Sequence, residues 1–276
     1  LIITGMTGGT DRAMAMNRVL ADTAQKKKIA LGLGSQRASL ETGQSQAELR
    51  RLAPDAVLIG NLGGAQLAGK DGLKLARAAI EDISADALAI HLNPLQEAIQ
   101  PEGDHDWRGV LSAIETAVGT LNCPVLVKEV GAGLSGNVVR RLAAIGVRHV
   151  DVAARGGTNW AQIELNRRPA TDREHYAPFL SCGLMLPDAI AQARAVSNNL
   201  CIIASGGVRH GLDAAKCLWL GADLVGMAGQ ILRTVEDDAG HLHPKQLSEL
   251  LYSVQQQLRL SLFLAGKSSI KAFKRG

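Results

Sequence analysis

Aromatic residues are scarce in this chain: three Phe, three Trp and two Tyr, 3% of 276 residues. The core must therefore be built from Leu, Ile, Val and Ala, and the low aromatic content argues against a stacking platform for single-stranded nucleic acid. Cysteine is scarce too. Cys123, Cys182, Cys201 and Cys217 form no C-x-x-C pair, which argues against a disulfide framework and a cysteine zinc site. Reduced thiols of a cytoplasmic protein are the expectation. No apolar run reaches the roughly 18 residues of a spanning helix, so no membrane segment is expected, and no signal peptide is apparent. Neither sign of charge dominates. Thirty Lys and Arg against 26 Asp and Glu leave +4, which suits an anionic small molecule but is too weak and dispersed for DNA. The densest basic run, Lys267, Lys271, Lys274 and Arg275, reads as a solvated helix end.

What is present is glycine, 30 residues of it, in a chain that is 46% hydrophobic. Short apolar runs alternate with amphipathic stretches. Strands are expected at 2–4, 29–33, 56–59, 87–90, 125–127, within 147–152, and at 200–204 and 222–225. Helices are expected at 11–27 with Asp11 as N-cap, at about 46–52, and at 72–81 and 107–121. Further helices are expected at 135–144 with Ser135 as cap and Gly146 as stop, and at 187–197, 212–220 and 243–264. The stretch 164–186, with Pro169 and Pro178 inside it and Pro187 just beyond, reads as a long irregular loop and flexible lid. Eight strand–helix alternations in one chain of this length predict a single-domain (β/α)₈ TIM barrel over 1–276. A doubly wound open sheet would gather its site at one switch point. Here polar or glycine-rich clusters follow almost every strand. The chain opens at Leu1, directly on strand-like residues, so an N-terminal segment is expected to precede it.

The chemistry centres on His91-Leu92-Asn93-Pro94-Leu95-Gln96-Glu97. On a strand, His91 and Asn93 share a face. Pro94 ends the ladder, and Gln96 and Glu97 are expected in the turn beyond. An imidazole, two amides and a carboxylate at one strand end of a parallel barrel outweigh the alternative of a polar loop. Glu97 is the best metal candidate, for Mg²⁺ held by one carboxylate with waters and substrate phosphate. Ser205-Gly206-Gly207-Val208-Arg209 and Met227-Ala228-Gly229 follow the seventh and eighth strands, where such barrels cradle phosphate. Lys128 ends an apolar strand and needs an anionic partner, a flavin ring or a phosphate. Ser35-Gln36-Arg37 suits a substrate oxyanion, with a plain surface role for Arg37 about as well supported. Asn61 and Thr158 flank glycines and are candidates for hydrogen bonds to a heterocycle. Glu129 and Asp151 rank as ion-pair or supporting groups, and Glu164 as a lid residue.

Taken together, several stretches resemble the type 2, flavin-dependent isopentenyl-diphosphate isomerase family. They are Thr4-Gly5-Met6-Thr7-Gly8-Gly9, Gly34 to Arg37, Gly60-Asn61-Leu62-Gly63, the His91 stretch, Lys128-Glu129-Val130-Gly131, Gly156-Gly157-Thr158-Asn159-Trp160 and Ser205 to Arg209. The resemblance covers the whole chain in order. It implies a barrel that binds FMN, needs Mg²⁺ and a reductant such as NADPH, and interconverts isopentenyl and dimethylallyl diphosphate. It places FMN contacts on Met6, Thr7, Gly8, Ser35, Asn61, Lys128 and Thr158. The FMN phosphate falls on Gly206, Gly207, Val208, Arg209, Ala228 and Gly229. Substrate contacts fall on Ser35, Gln36, Arg37, His91, Asn93 and Gln96, with Gln96, His91 and Asn93 as the catalytic set and Glu97 as metal ligand. It also implies a homotetramer or larger assembly, and an Arg-Lys pair for the diphosphate in the segment preceding Leu1. Two other readings stay open. One is an FMN oxidoreductase of the 2-hydroxy-acid oxidase type, although no His-Gly-x-Arg arrangement is found. The other is a non-catalytic flavin- or phosphate-binding barrel.

Overall fold

The computed structural model describes residues 1–6 and 10–274. Eight strands, all parallel, close into a barrel in sequence order. They are β1 (Ile2–Ile3), β2 (Ala30–Gly32), β3 (Leu58–Gly63), β4 (Ala87–His91), β5 (Val125–Lys128), β6 (His149–Asp151), β7 (Cys201–Ala204) and β8 (Leu224–Met227). The barrel closes where β1 meets β8, with Ile2 opposite Gly226 and Ile3 opposite Met227.

Neighbouring strand residues point to opposite faces, and the core divides accordingly. Ile2, Ile59, Ala89, Leu126 and Ile203 form one buried cluster that fills the barrel. Their chain neighbours Ile3, Leu58, Ile90, Val127 and Ile202 belong to a larger cluster shared with the helices. The inner plug is aliphatic, as a chain with so few aromatics requires.

Several helices start where the sequence indicates. Ser135 caps Gly136–Ala144 by accepting from the Val138 N–H, and Gly146 follows with φ +93°. The long helix spans Pro244–Leu264. Other expectations are corrected. The cap of Asp11–Lys27 is Thr10, whose hydroxyl accepts from Ala13 N–H; Asp11 is the first helical residue, where its charge suits the helix N-terminus. The stretch 164–186 is largely helical, not irregular. Trp160–Arg167, Ala170–Tyr176 and a 3₁₀ turn at Ala177–Ser181 run through it. Its prolines sit at helix starts, where a missing N–H is no loss. Lys274 is not a free solvated end, because its ammonium lies 2.5 Å from the Asp223 carboxylate.

Candidate active site

The C-terminal strand ends open on one cavity of about 680 Å³. One polar wall follows β4. His91 is the last residue of that strand, and Pro94 starts the helix Pro94–Ile99. Asn93 is therefore the residue before a helix, not part of the strand, and Gln96 and Glu97 lie on the first helical turn, not in an open turn. The turn brings the three side chains together. Asn93 Nδ2 donates to Gln96 Oε1 at 3.2 Å and to Glu97 Oε1 at 2.9 Å. Gln96 Nε2 donates in turn to Glu164 Oε1 at 3.0 Å. The Gln96 amide thus has a donor facing its oxygen and a carboxylate facing its nitrogen, so a flip would break both bonds. Glu164 is buried and ion-paired to Arg167 at 2.6 Å. It anchors the cavity wall instead of riding on a loose lid.

Glu97 is also buried. Its second oxygen accepts from the Asp104 N–H at 2.8 Å, and among the described residues none of its hydrogen-bond partners is a cation. Among the described residues, no three His, Cys, Asp or Glu side chains gather to enclose a metal. The donor set fits a weakly held Mg²⁺ with one protein carboxylate, not a closed transition-metal site.

Asn61, in β3, fixes the state of His91. Its Nδ2 donates to Leu33 O at 2.8 Å, which turns Oδ1 toward His91 Nδ1, also at 2.8 Å. His91 therefore carries its proton on Nδ1 and presents Nε2 as an acceptor. Burial, with Lys128 and Arg37 nearby, presses its pKa from 6.5 to about 3. The imidazole is neutral at physiological pH.

Lys128 closes β5 beside His91 and donates to the Glu129 carbonyl at 2.7 Å. Burial lowers its pKa, opposed by the carboxylates of Asp151 and Glu129. Asp151 is pushed up by burial, opposed by Lys128 and by hydrogen bonds from Ser205 and the Ala153 N–H. Ala153 itself stands at φ +36°, a strained position on the cavity wall. The side chain of Glu129, besides its charge on Lys128, is taken up by the loop that follows it. One carboxylate oxygen accepts from the backbone N–H groups of Val130, Gly131, Ala132 and Gly133, which shapes the loop after β5.

At the far end, Thr158, Gly206, Gly207, Val208, Arg209, Ala228 and Gly229 line the same cavity. Gly206 and Gly207 take φ +104° and +88° and interlock with the backbone of Ala154 and Gly156. Met6, Ser35 and Arg37 complete the rim. Arg37 stands 3.8 Å from both Glu41 and Asp104. Thr7 and Gly8 lie outside the described residues. Gln36 is not brought into the site. It is fully buried, with Nε2 donating to Ala79 O and Oε1 accepting from Asn61 N–H, so it braces β3 behind the cavity wall. Sequence reasoning also missed Gln66 and Arg233, which line the cavity from short helices. Gln66 carries no local signal. Arg233 carries one, its spacing of four from Gly229.

A neutral imidazole, a locked amide, an uncompensated carboxylate, a buried ammonium and a glycine–arginine cradle surround one cavity. It has room for a phosphorylated cofactor beside a small anion. A family model described as FMN-dependent dehydrogenase matches residues 95–276, and this defines the class as an FMN-dependent barrel. A structure of mandelate oxidase with (S)-2-phenylpropionate shares the fold, at TM-score 0.65 and 17% identity, over 99% of this chain and 76% of that one. The chain is also 48% identical over 277 residues to an isopentenyl-diphosphate delta-isomerase of Xanthobacter autotrophicus, covering 99% of this chain and 79% of that protein. It is 46% identical to one of Cronobacter sakazakii, with the same coverage. The chain belongs to the isopentenyl-diphosphate delta-isomerase family.

Proposed function

We propose that this chain interconverts isopentenyl and dimethylallyl diphosphate, adding a proton at one allylic carbon and removing one at another, with no net redox change. The observation that carries the reading is Gln96, held in one orientation between Asn93 and Glu164 beside the Glu97 carboxylate. Flavin binding alone has no need of that arrangement. The cavity fits FMN, because Lys128 is a buried cation for an anionic ring and the Gly206–Arg209 and Ala228–Gly229 turns can take a phosphate. Bound and reduced, FMN supplies a ring edge able to exchange a proton with an alkene carbon.

The remaining roles fall to the chain. Arg37, at the rim, binds the diphosphate. His91, neutral with its proton on Nδ1, lines the same cavity and presents Nε2 as an acceptor, so its role beside Arg37 is to take a hydrogen bond from a protonated phosphate oxygen or a water on the diphosphate. Glu97 holds Mg²⁺ against the same group, which neutralises charge. Gln96 orients the isoprenyl carbons or passes the proton, and proton transfer requires it within hydrogen-bond reach of them. Ser35, Asn61 and Thr158 serve the flavin, with Asn61 acting chiefly by setting the His91 tautomer. NADPH is the proposed reductant, a homotetramer or larger the proposed assembly, and the cytoplasm the proposed compartment. Among the described residues no helix is long and apolar enough to cross a membrane.

The test is anaerobic incubation of the protein with FMN, NADPH, Mg²⁺ and isopentenyl diphosphate. Dimethylallyl diphosphate should form without matching NADPH consumption, and chelating Mg²⁺ should stop it. A protein that holds FMN and yields no product would sink the reading. An oxidase of the 2-hydroxy-acid type gains no support, since His210 and Gly211 follow Arg209 in the wrong order for a His-Gly-x-Arg site.

A further inference from the structure

We infer that Arg233 is a second cation for the phosphate end of the cavity, gripping a phosphomonoester together with Arg209. If the flavin reading above holds, that group is the phosphate of FMN.

Arg233 lies on the helix Gly229–Val235, four residues after Gly229 and so on the same face. Both residues line the main cavity. The guanidinium folds back over the turn. Its Nη1 is 3.4 Å from the point where a side chain at Gly229 would begin, and Thr158 Oγ1 is 3.5 Å from that point. Glycine at 229 keeps open a space that a guanidinium and a hydroxyl border together.

An arginine in the last turn of a helix commonly serves the helix carbonyls. This one points the other way, toward the N-terminal turn. Among the described residues, its one side-chain hydrogen bond is to Gln230 Oε1 at 3.2 Å. Among the described residues, no carboxylate lies within ion-pair distance of Arg233 or of the Arg209 guanidinium. Other arginines also lack a carboxylate, but among the described residues these two line the glycine-rich end of the main cavity. Two guanidinia without carboxylates thus border one glycine-lined end. A phosphomonoester carries close to two negative charges at neutral pH, and arginine's planar fork matches its oxygens. One arginine leaves about half of that charge uncompensated.

The test uses the full chain stripped of flavin, titrated with FMN and with riboflavin, which has the same ring and no phosphate. Arg233→Gln should weaken FMN binding by about tenfold and leave riboflavin affinity unchanged. Arg233→Lys should recover part of the loss, and added salt should shrink the difference. Unchanged FMN affinity, or parallel losses for both flavins, would overturn the role. If the unaltered chain binds neither flavin, the flavin reading fails. Thermal unfolding with inorganic phosphate then decides the cation site by itself. Stabilisation of the unaltered chain that Arg233→Gln removes supports it, and equal response or no response in both overturns it.

Discussion

At the scale of single residues the site works by removing freedom. Gln96 could offer either end of its amide to a substrate, but Asn93 and Glu164 leave it one choice. Glu164 is therefore a positioning residue. Glu164→Ala should cut turnover by about 10- to 100-fold, the effect of a misplaced reacting group, while KM for the diphosphate changes little. Glu164→Gln keeps an acceptor for Gln96 Nε2 and should retain most activity. Equal losses in both variants would show that the charge, not the alignment, matters. His91 gives a second prediction. Its pKa is about 3 folded and 6.5 as the reference. Above pH 6.5 both states are neutral and it adds no pH dependence. Between 6.5 and 3 only the unfolded chain takes the proton, so stability falls as pH falls, by up to about 1.4 kcal/mol per unit. His91→Asn should flatten that part of the profile in urea unfolding measured from pH 7 to pH 5. An unchanged slope would mean that the buried imidazole is not the group responsible.

At the scale of elements, the tips of β6 and β7 are joined by glycine backbone. A side chain at Gly206 would begin 1.9 Å from Ala154 O, at a φ of +104°. Gly206→Ala should therefore destabilise the fold by more than about 2 kcal/mol and weaken FMN binding, read by denaturant unfolding and flavin titration. Full retention of both would mean that the two tips can part freely. The strands were legible because each is a short apolar run followed by glycine or a polar residue. The plug and shell of the barrel follow from the same alternation at Leu58–Ile59 and Leu126–Val127. The helical stretch 160–181 was not legible, since Pro169 and Pro178 look like breakers until their place at helix starts is seen. Most of the strand-end residues named from sequence do meet in one cavity. Gln36 does not, because its partners, Ala79 and Asn61, lie 43 and 25 residues away. Glu164 was placed on a lid for the same reason, as its contact with Gln96 spans 68 residues.

At the scale of the whole molecule, closure makes the barrel hard to open in part. Each strand is bonded on both sides, and β1 joins β8 through only two register pairs, reinforced by Thr4 N–H to Met227 O at 2.9 Å. Losing either strand would expose two sheet edges and the plug behind them. Cys217 reports on this. It is buried on Gly211–Trp219, the helix that packs on Pro244–Leu264, and burial pushes its thiol up to about 12. Cys182 is exposed, while Cys123 and Cys201 are half-buried with thiols raised by burial. A thiol reagent should therefore react at once with Cys182, more slowly with Cys123 and Cys201, and with Cys217 only at the rate of global unfolding. Across a denaturant series, Cys217 labelling should track the loss of helical circular dichroism. Labelling of Cys217 while that signal stays intact would mean that the 211–219 and 244–264 pair opens by itself, and that the barrel is not one cooperative unit.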